Sequence, residues 1–149
     1  MNHTCQSRKL KDLHNLTKNN YDVIEEDNNT FMLVLNGPKD TLYQGYKWHS
    51  RFHLPELYPF KSPSIIFVNK IYHPNIEINT GSICLDVLNT EWNPTFDLMN
   101  IMNTFLPQLL TYPNPYDPFN EQAAKLYVND YNTYKKYVEL YNKKYSLKE

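Results

Sequence analysis

The residue of this sequence best suited to covalent chemistry is Cys84, in the stretch between residues 72 and 92. Gly81 and other turn-forming residues precede it, and a turn can hold a thiol at a protein surface. The apolar neighbours Ile83 and Leu85 can anchor the chain on both sides of the sulfur. We therefore predict an exposed, working thiol at position 84.

A rigid turn is expected shortly before this cysteine. The apolar, β-rich run over residues 65–68 is followed by His73, Pro74 and Asn75. Pro74 cannot donate to a sheet ladder, and it steers the preceding His73 away from helical geometry. The run should therefore end in an ordered turn that presents Asn75, nine positions before Cys84.

The sequence supplies little to activate Cys84. A free thiol has a pKa of about 8.5, so only a few per cent is ionised at neutral pH, and Lys70 is the nearest preceding cation. Such a sulfur suits the acceptance of an acyl group from another thioester, because that exchange is nearly isoenergetic and depends on alignment. A thiol protease with His73 as base is the weaker alternative, because a lone turn histidine is usually structural.

Length, charge and cysteine number exclude several classes of protein. The 149 residues suit one domain spanning 1–149, which buries roughly 68–70% of the unfolded chain's surface without disulfides or metal. The formal net charge of −1 gives no basic field for nucleic acid. The two cysteines form no disulfide framework, and neither a secretory signal nor an apolar run of roughly 20 residues occurs. We expect a soluble monomer without nucleic-acid or membrane partners, located in the cytoplasm, the nucleus or both.

Hydrophobic periodicity predicts an N-terminal helix over residues 7–18, with Leu10, Leu13 and Leu16 along one side. Cys5 precedes this helix and is expected to be an inert or merely exposed thiol. Four strands with short connections should then form an antiparallel meander. The strands are expected at residues 21–25, 30–36, 46–54 and 64–69.

The third strand has the clearest alternation, and its two faces should be core and solvent. The core face should carry Tyr46, Trp48, Ser50, Phe52 and Leu54, and the wet face Lys47, His49, Arg51 and His53. His49 and His53 lack a third ligand in register, so we expect no metal site.

Three further helices should follow the sheet. Asp97 can cap a helix that runs to residue 110, within which Pro107 should bend or break the backbone. Two closing helices are expected at residues 120–130 and 131–145, and the tyrosines of the second should pack. The pattern as a whole predicts an α+β fold.

The residues between 72 and 92 resemble the active-site signature of ubiquitin-conjugating enzymes. That family pairs a His-Pro-Asn turn with Cys-Leu-Asp and with a tryptophan eight positions past the cysteine. The matching residues are His73, Pro74, Asn75, Cys84, Leu85, Asp86 and Trp92. The Tyr-Pro-Phe segment at 58–67 and the proline-rich stretch at 112–120, here named the gate segment, also resemble the family's motifs. Because four motifs occur in order, the chain is identified as a member, and the resemblance implies the family's fold.

The resemblance assigns catalytic roles. Cys84 would carry ubiquitin as a thioester, and the Asn75 amide would either donate to the oxyanion or order the loop that forms the site. Asp117 would orient the incoming lysine, although a loop Asp is more often a turn or helix-start residue. Tyr116 departs from the family, where an acidic residue is common. Support of the active site is assigned to Tyr72, His73, Pro74, Leu85 and Asp86.

The resemblance also predicts surfaces for partners. The activating enzyme and ligases would dock on Arg8, Lys9 and Lys11 of the first helix, although a basic helix face is often merely solvated. RING-type ligases would use a second surface, formed by Phe60, Asn93, Pro94 and Thr95. A Phe60 that tucks inward would argue against docking. Contact with the donor ubiquitin would fall on Met102, Asn103 and Pro107.

Subclass features narrow the expectation further. The spacing from Asn75 to Cys84, one position more than in many members, and residues 105–115 resemble the H-type subclass. Its members ubiquitinate histones in vitro and serve multisubunit CTLH-type ligases, but they usually carry an acidic C-terminal tail that this sequence lacks. No cofactor is expected, since ATP is consumed upstream by the activating enzyme. The alternatives are a non-catalytic ubiquitin-binding variant of the fold and an enzyme for another ubiquitin-like modifier.

Overall fold

The computed structural model describes residues 3–83 and 92–148, without the side chains of residues 3 and 4. The elements before the crossing helix are α1 (His3–Lys18), β1 (Ile24–Glu25), β2 (Thr30–Asn36), β3 (Lys47–His53) and β4 (Ser64–Phe67). The crossing helix, α2, has three consecutive segments, Leu98–Asn100, Ile101–Phe105 and Leu106–Thr111. The closing helices are α3 (Glu121–Asn129) and α4 (Tyr131–Tyr145).

The sheet is an antiparallel meander in the order β1-β2-β3-β4, which confirms the predicted topology. The predicted bounds of β2 are confirmed. In β3, Trp48, Ser50 and Phe52 are buried while the alternate residues are half-buried or exposed, so the predicted two-faced strand is also confirmed. The first strand is shorter than predicted because Tyr21 N–H still bonds to Leu16 O at 3.0 Å, which closes the end of α1.

The first helix buries the predicted apolar side only in part, since Leu16 is buried and Leu13 is half-buried against the core. It begins at His3, and the leucine that should start the apolar stripe, Leu10, is 65% exposed. The buried positions follow helical spacing and are Cys5, Lys9, Asp12 and Leu16. Cys5 therefore lies inside the helix and is 0% exposed, so the expectation of a thiol ahead of the helix is wrong.

The buried polar residues of α1 are tolerated because each has a partner. Lys9 Nζ donates to Asn29 Oδ1 at 2.9 Å. The Asp12 carboxylate accepts from the Tyr58 hydroxyl and from Arg8 Nε at 3.1 Å. Burial is the main cause that raises the pKa of Asp12 above its usual value. The sequence pattern did not predict the burial of Lys9 and Asp12, because charged residues usually face solvent.

The crossing helix keeps its course through Pro107 by changing its hydrogen-bond pattern. Asp97 begins the helix with a reciprocal capping box to Asn100, as the sequence predicted for the cap. The segment Ile101–Phe105 is π-helical, and Leu106 N–H bonds to Ile101 O, five residues back. Pro107 sits in the first turn of the next α-helical segment, where the ring is tolerated. The helix therefore continues past Pro107 with a shifted hydrogen-bond pattern and is not broken.

The core lies between the sheet and the helices, with aromatic side chains as its largest members. Trp48 and Tyr43 are buried and meet edge to face, with ring centroids 5.8 Å apart. The tyrosines of α4 pack as predicted, since Tyr134 is buried and Tyr137 stacks on Tyr72 at 5.4 Å. Within the described ranges, no helix is both long enough and apolar enough to cross a bilayer.

Gly81 lies against the end of β4, three positions before residue 84. Its backbone has φ +76°, and its carbonyl accepts from Phe67 N–H at 2.8 Å. A Cβ at this position would lie 1.9 Å from Phe67 O, which leaves no room for a side chain. Gly45 also has positive φ, at +87°, but a Cβ there would meet nothing within 4 Å.

These two glycines give a matched test of steric exclusion. Gly45→Ala should cost about 1 kcal/mol of unfolding free energy, which is the conformational cost of positive φ for an L-residue. Gly81→Ala should cost about 2–4 kcal/mol, because the clash with Phe67 adds to that conformational cost. Urea denaturation of both variants measures the difference. Equal losses would show that the close approach to Phe67 does not constrain this segment.

Candidate active site

The His-Pro-Asn turn is held by the ring of His73. Asn75 N–H donates to His73 Nδ1 at 3.0 Å, and the ring's Nε2 lies 2.7 Å from Leu109 O. Because Nδ1 accepts an amide hydrogen, Nε2 carries the proton that is donated to Leu109. The residue is buried, and burial lowers the pKa of His73 from 6.5 to about 4. His73 is a neutral structural residue whose two nitrogens are both occupied, so it cannot serve as the base of a protease dyad.

The Asn75 side chain is buried and bonds entirely to the gate segment. Its Nδ2 donates to Asn114 O at 2.8 Å and to Asp117 O at 3.2 Å. Its Oδ1 accepts from Asn114 N–H at 2.8 Å. The amide therefore acts as a strap between the turn and the gate segment, with both donor hydrogens in use.

The same turn holds the far end of the gate segment through a backbone carbonyl. Pro74 O accepts from Phe119 N–H at 2.8 Å and from Asn120 N–H at 2.9 Å. The Asn120 side chain then caps α3 by accepting from Ala123 N–H at 3.1 Å. Sequence reasoning missed these contacts, because backbone carbonyls leave no signature in residue type.

The gate segment presents its side chains outward between these anchor points. Asp117 is exposed, although its carbonyl is fixed by Asn75, so the two predicted catalytic residues are adjacent. Tyr116, the departure from the family pattern, is 86% exposed. Tyr72, a predicted support residue, is buried, and its hydroxyl donates to Gln122 Oε1 at 2.9 Å. Buried Pro74 completes the supports in the turn.

The remaining predicted site residues, Cys84, Leu85 and Asp86, lie outside the described residues. The last described residue before them, Ile83, is buried and forms an antiparallel bridge with Ile76. Ile76 directly follows Asn75. Ile83 therefore lies beside the turn that carries the side-chain amide of Asn75.

Two of the three predicted docking residues of α1 are used inside the protein instead. Lys9 is buried against Asn29. Arg8 donates to Pro94 O at 2.8 Å, to Phe96 O and to the Asp12 carboxylate. The prediction of a free basic face is therefore wrong for Lys9 and incomplete for Arg8. Lys11 remains exposed.

The second predicted docking surface is exposed. Phe60 is 60% exposed, and the loop residues Asn93, Pro94 and Thr95 are also exposed. Trp92 joins the two parts, because its Nε1 donates to Pro59 O at 2.9 Å. The inward orientation of Phe60 that would have argued against docking does not occur.

The predicted donor-ubiquitin residues are divided between core and surface. Met102 is only 3% exposed, so its assignment to the outer face of α2 is wrong, because it lies one helical turn after buried Leu98 on the core face. Asn103 is exposed and accepts from the Tyr21 hydroxyl at 2.6 Å, and Pro107 is half-buried. The outer face also includes Thr104 and Gln108, whose polar types could have indicated it. Across the described ranges, no group of three or more His, Cys, Asp or Glu residues could hold a metal ion.

Comparisons with known proteins agree with this architecture. The family model for ubiquitin-conjugating enzymes matches residues 5–142. The chain is 48% identical over 144 residues to ubiquitin-conjugating enzyme E2 6 of Arabidopsis thaliana, covering 95% of this chain and 79% of the relative. It is 49% identical over 144 residues to ubiquitin-conjugating enzyme E2-23 kDa of Triticum aestivum, covering 95% and 78%. The solved E2 domain of a Toxoplasma gondii ubiquitin conjugating enzyme superposes with a TM-score of 0.84 at 29% identity, covering 95% of this chain and 99% of that one.

The chain belongs to the ubiquitin-conjugating enzyme family. It is therefore a transferase that acts through a cysteine thioester. The family implies its general partners, which are ubiquitin, an activating enzyme and a ligase.

The burial of neutral His73 predicts a pH dependence of stability. Because the pKa of His73 is lowered to about 4 in the folded protein, the unfolded chain binds this proton at higher pH. The contribution of neutral His73 to the free energy of unfolding is fully present above pH 6.5. It is lost as the pH falls towards about 4, by up to about 3 kcal/mol.

Denaturation of the wild type and of His73→Gln across this pH range measures the effect as the difference between their two curves. Asp12, whose raised pKa acts in the opposite sense, is present in both proteins and cancels. Curves of equal slope would contradict a neutral buried imidazole.

Proposed function

We propose that Cys84 receives the C-terminus of ubiquitin from the activating enzyme and passes it to a lysine of a protein substrate. The sequence has two cysteines, and Cys5 is 0% exposed inside α1, where no partner thioester can reach it. This burial is the observation that carries the assignment. The bridge between Ile83 and Ile76 supports it, because Ile83 directly precedes Cys84 and Ile76 directly follows Asn75.

The first step is an exchange of thioesters. The Cys84 thiolate attacks the carbonyl carbon of the ubiquitin thioester on the activating enzyme, whose cysteine leaves as a thiolate. One carbon–sulfur bond forms and another breaks, so alignment matters more than activation. The ATP that drives ubiquitin activation is consumed before this step, and this chain needs no cofactor of its own.

In the second step the substrate lysine attacks the Cys84 thioester, and the Cys84 thiolate leaves. The lysine, with a pKa of about 10.4, must lose a proton to react. Asp117 would orient this amine, and the support for this role is that its backbone is fixed by Asn75 while its side chain is exposed. The product is ubiquitin joined to the substrate by an amide bond.

Asn75 acts in this proposal by holding the gate segment in place. Both hydrogens of its amide are donated to gate carbonyls, and its oxygen accepts a gate amide. Donation to an oxyanion would require at least one of these bonds to break. The three bonds therefore favour the loop-ordering role over the alternative of direct oxyanion stabilisation.

The finer partners are also proposals. A RING-type ligase would dock on exposed Phe60 and the adjoining loop residues 93–95, whose backbone is tied to α1 by Arg8. A multisubunit CTLH-type ligase and histone substrates follow from the resemblance to the H-type subclass. We further propose a monomer that works in the cytoplasm, the nucleus or both.

A charging assay tests the proposed cysteine. Incubation with activating enzyme, ATP and ubiquitin should give a thiol-sensitive adduct on the wild type. Cys84→Ser should give a thiol-resistant oxyester, because an ester oxygen replaces the sulfur, and Cys5→Ala should charge like the wild type. Electrophoresis with and without reductant separates these adducts.

The same assay distinguishes the alternatives. No adduct on the wild type would leave a ubiquitin-binding module, and loss of the adduct in folded Cys5→Ala would overturn the choice of cysteine. Charging with another ubiquitin-like modifier instead of ubiquitin would reassign the cargo.

Amide hydrogen exchange tests the role of Asn75. Asn75→Ala removes the acceptor for Asn114 N–H, so exchange in the gate segment should accelerate about 5- to 150-fold, as expected for the loss of about 1–3 kcal/mol. Asn79→Ala, at an exposed position of the following turn, is the matched control and should leave this exchange unchanged. Slow lysine discharge by Asn75→Ala with unchanged gate exchange would instead support direct oxyanion stabilisation.

A further inference from the structure

A cavity of about 280 Å³ lies beside the gate segment and has no part in the chemistry described above. The loop between β2 and β3, the end of α2 and the closing helices line it. Its aromatic lining consists of Tyr43, Tyr127, Tyr131 and Tyr134, and among the lining residues that the structure describes only Asp40 is charged. A basic side chain would fit a space of this size and polarity.

The tyrosines form a corner rather than a flat stack. The rings of Tyr127 and Tyr134 lie 5.2 Å apart at 83°, and those of Tyr127 and Tyr131 lie 5.9 Å apart at 66°. The Tyr43 hydroxyl donates to Tyr72 O at 2.7 Å and lies 3.2 Å from the Tyr134 hydroxyl. These deeper hydroxyls are thus engaged with the protein itself, and the rings provide the wall. Aromatic walls of this kind attract cations through the negative faces of the rings.

Asp40 adds a full negative charge to this lining. It is exposed, and its backbone adopts φ +63°, in the left-handed region. The Gln44 side chain stabilises this turn, because its Oε1 accepts Asp40 N–H at 2.8 Å. None of the described lining residues is a lysine or an arginine, so none of them offsets the attraction of this carboxylate for a cation.

The cavity lining and the Asn75 contacts share the gate segment. Pro113 lines the cavity, and the next residue, Asn114, makes two hydrogen bonds with the Asn75 side chain. A substrate chain that places a lysine at the gate segment would therefore have further residues near this cavity. Of the four lining tyrosines, Tyr131 is the most exposed, at 49%.

We propose that this cavity is a specificity subsite that binds a second basic side chain, arginine or lysine, of the protein substrate whose lysine is modified. The proposal rests on the proposed function. The cation contacts the tyrosine rings and the Asp40 carboxylate, and it selects acceptor lysines that have a basic neighbour. No bond is made or broken at the cavity.

Single-turnover discharge of the ubiquitin-charged protein tests this subsite. The acceptors are free lysine, a peptide series with one lysine and one arginine at spacings of about three to nine residues, and the same peptides with neutral citrulline for arginine. At the best spacing the wild type should prefer arginine over citrulline by about 2- to 30-fold in kcat/KM, the range of a cation–aromatic contact. Asp40→Asn and Tyr131→Leu should each reduce this preference, while discharge to free lysine stays unchanged.

Two variants serve as controls. Tyr131→Phe keeps the aromatic ring and should keep the preference for arginine. If the Tyr131 hydroxyl instead acted by supporting the structure, its removal would abolish this preference. Lys39→Gln changes the charge at the exposed neighbouring position outside the cavity lining and should also keep it. Equal rates with arginine and citrulline peptides at every spacing, or a preference that survives both Asp40→Asn and Tyr131→Leu, would overturn the subsite.

A wild type that fails to charge would count against the proposed function rather than against the cavity. In that case the uncharged protein is titrated with the arginine and citrulline peptides and followed by NMR of its tyrosine rings. Selective shifts of Tyr127 and Tyr131 with arginine would support the subsite, and identical shifts with both peptides would reject it.

Discussion

The buried side-chain amide of Asn75 is the contact on which the organisation of the site depends. It joins the turn after the sheet to a segment 39 residues further along the chain, through one acceptor and two donor bonds. Loss of this amide would leave the gate's polar backbone groups without partners, which costs more than the bonds themselves contribute. The strap therefore holds the exposed Asp117 close to the turn that carries Asn75.

The turn itself is stabilised by the imidazole of His73, which has a structural role. His73 satisfies the Asn75 amide on one side and the crossing helix on the other, through Leu109 O. Burial keeps the pKa of this ring at about 4, so the ring carries no positive charge at neutral pH. The turn is therefore held by the hydrogen bonds of a neutral ring rather than by an ion pair.

The first helix shows how a charged residue can organise a loop that is distant in sequence. The Arg8 guanidinium donates to two backbone carbonyls of the loop after Trp92 and to the buried carboxylate of Asp12. The Tyr58 hydroxyl also donates to this carboxylate. These contacts fix a loop whose side chains remain exposed beside Phe60. A loop held in this way loses little conformational entropy when it binds another molecule.

The sequence by itself determined the family, the order of the elements, the two-faced third strand and the turn that precedes Cys84. These features are encoded locally, in alternation, capping residues and motif spacing. It failed where distant partners decide the outcome. Lys9 and Asp12 are buried because Asn29 and Tyr58 supply their partners, the segment Ile101–Phe105 becomes π-helical ahead of Pro107, and Asn75 bonds to backbone atoms far along the chain. Only the tertiary structure could decide these points, because a hydrogen bond to a remote carbonyl depends on folded geometry and not on residue type.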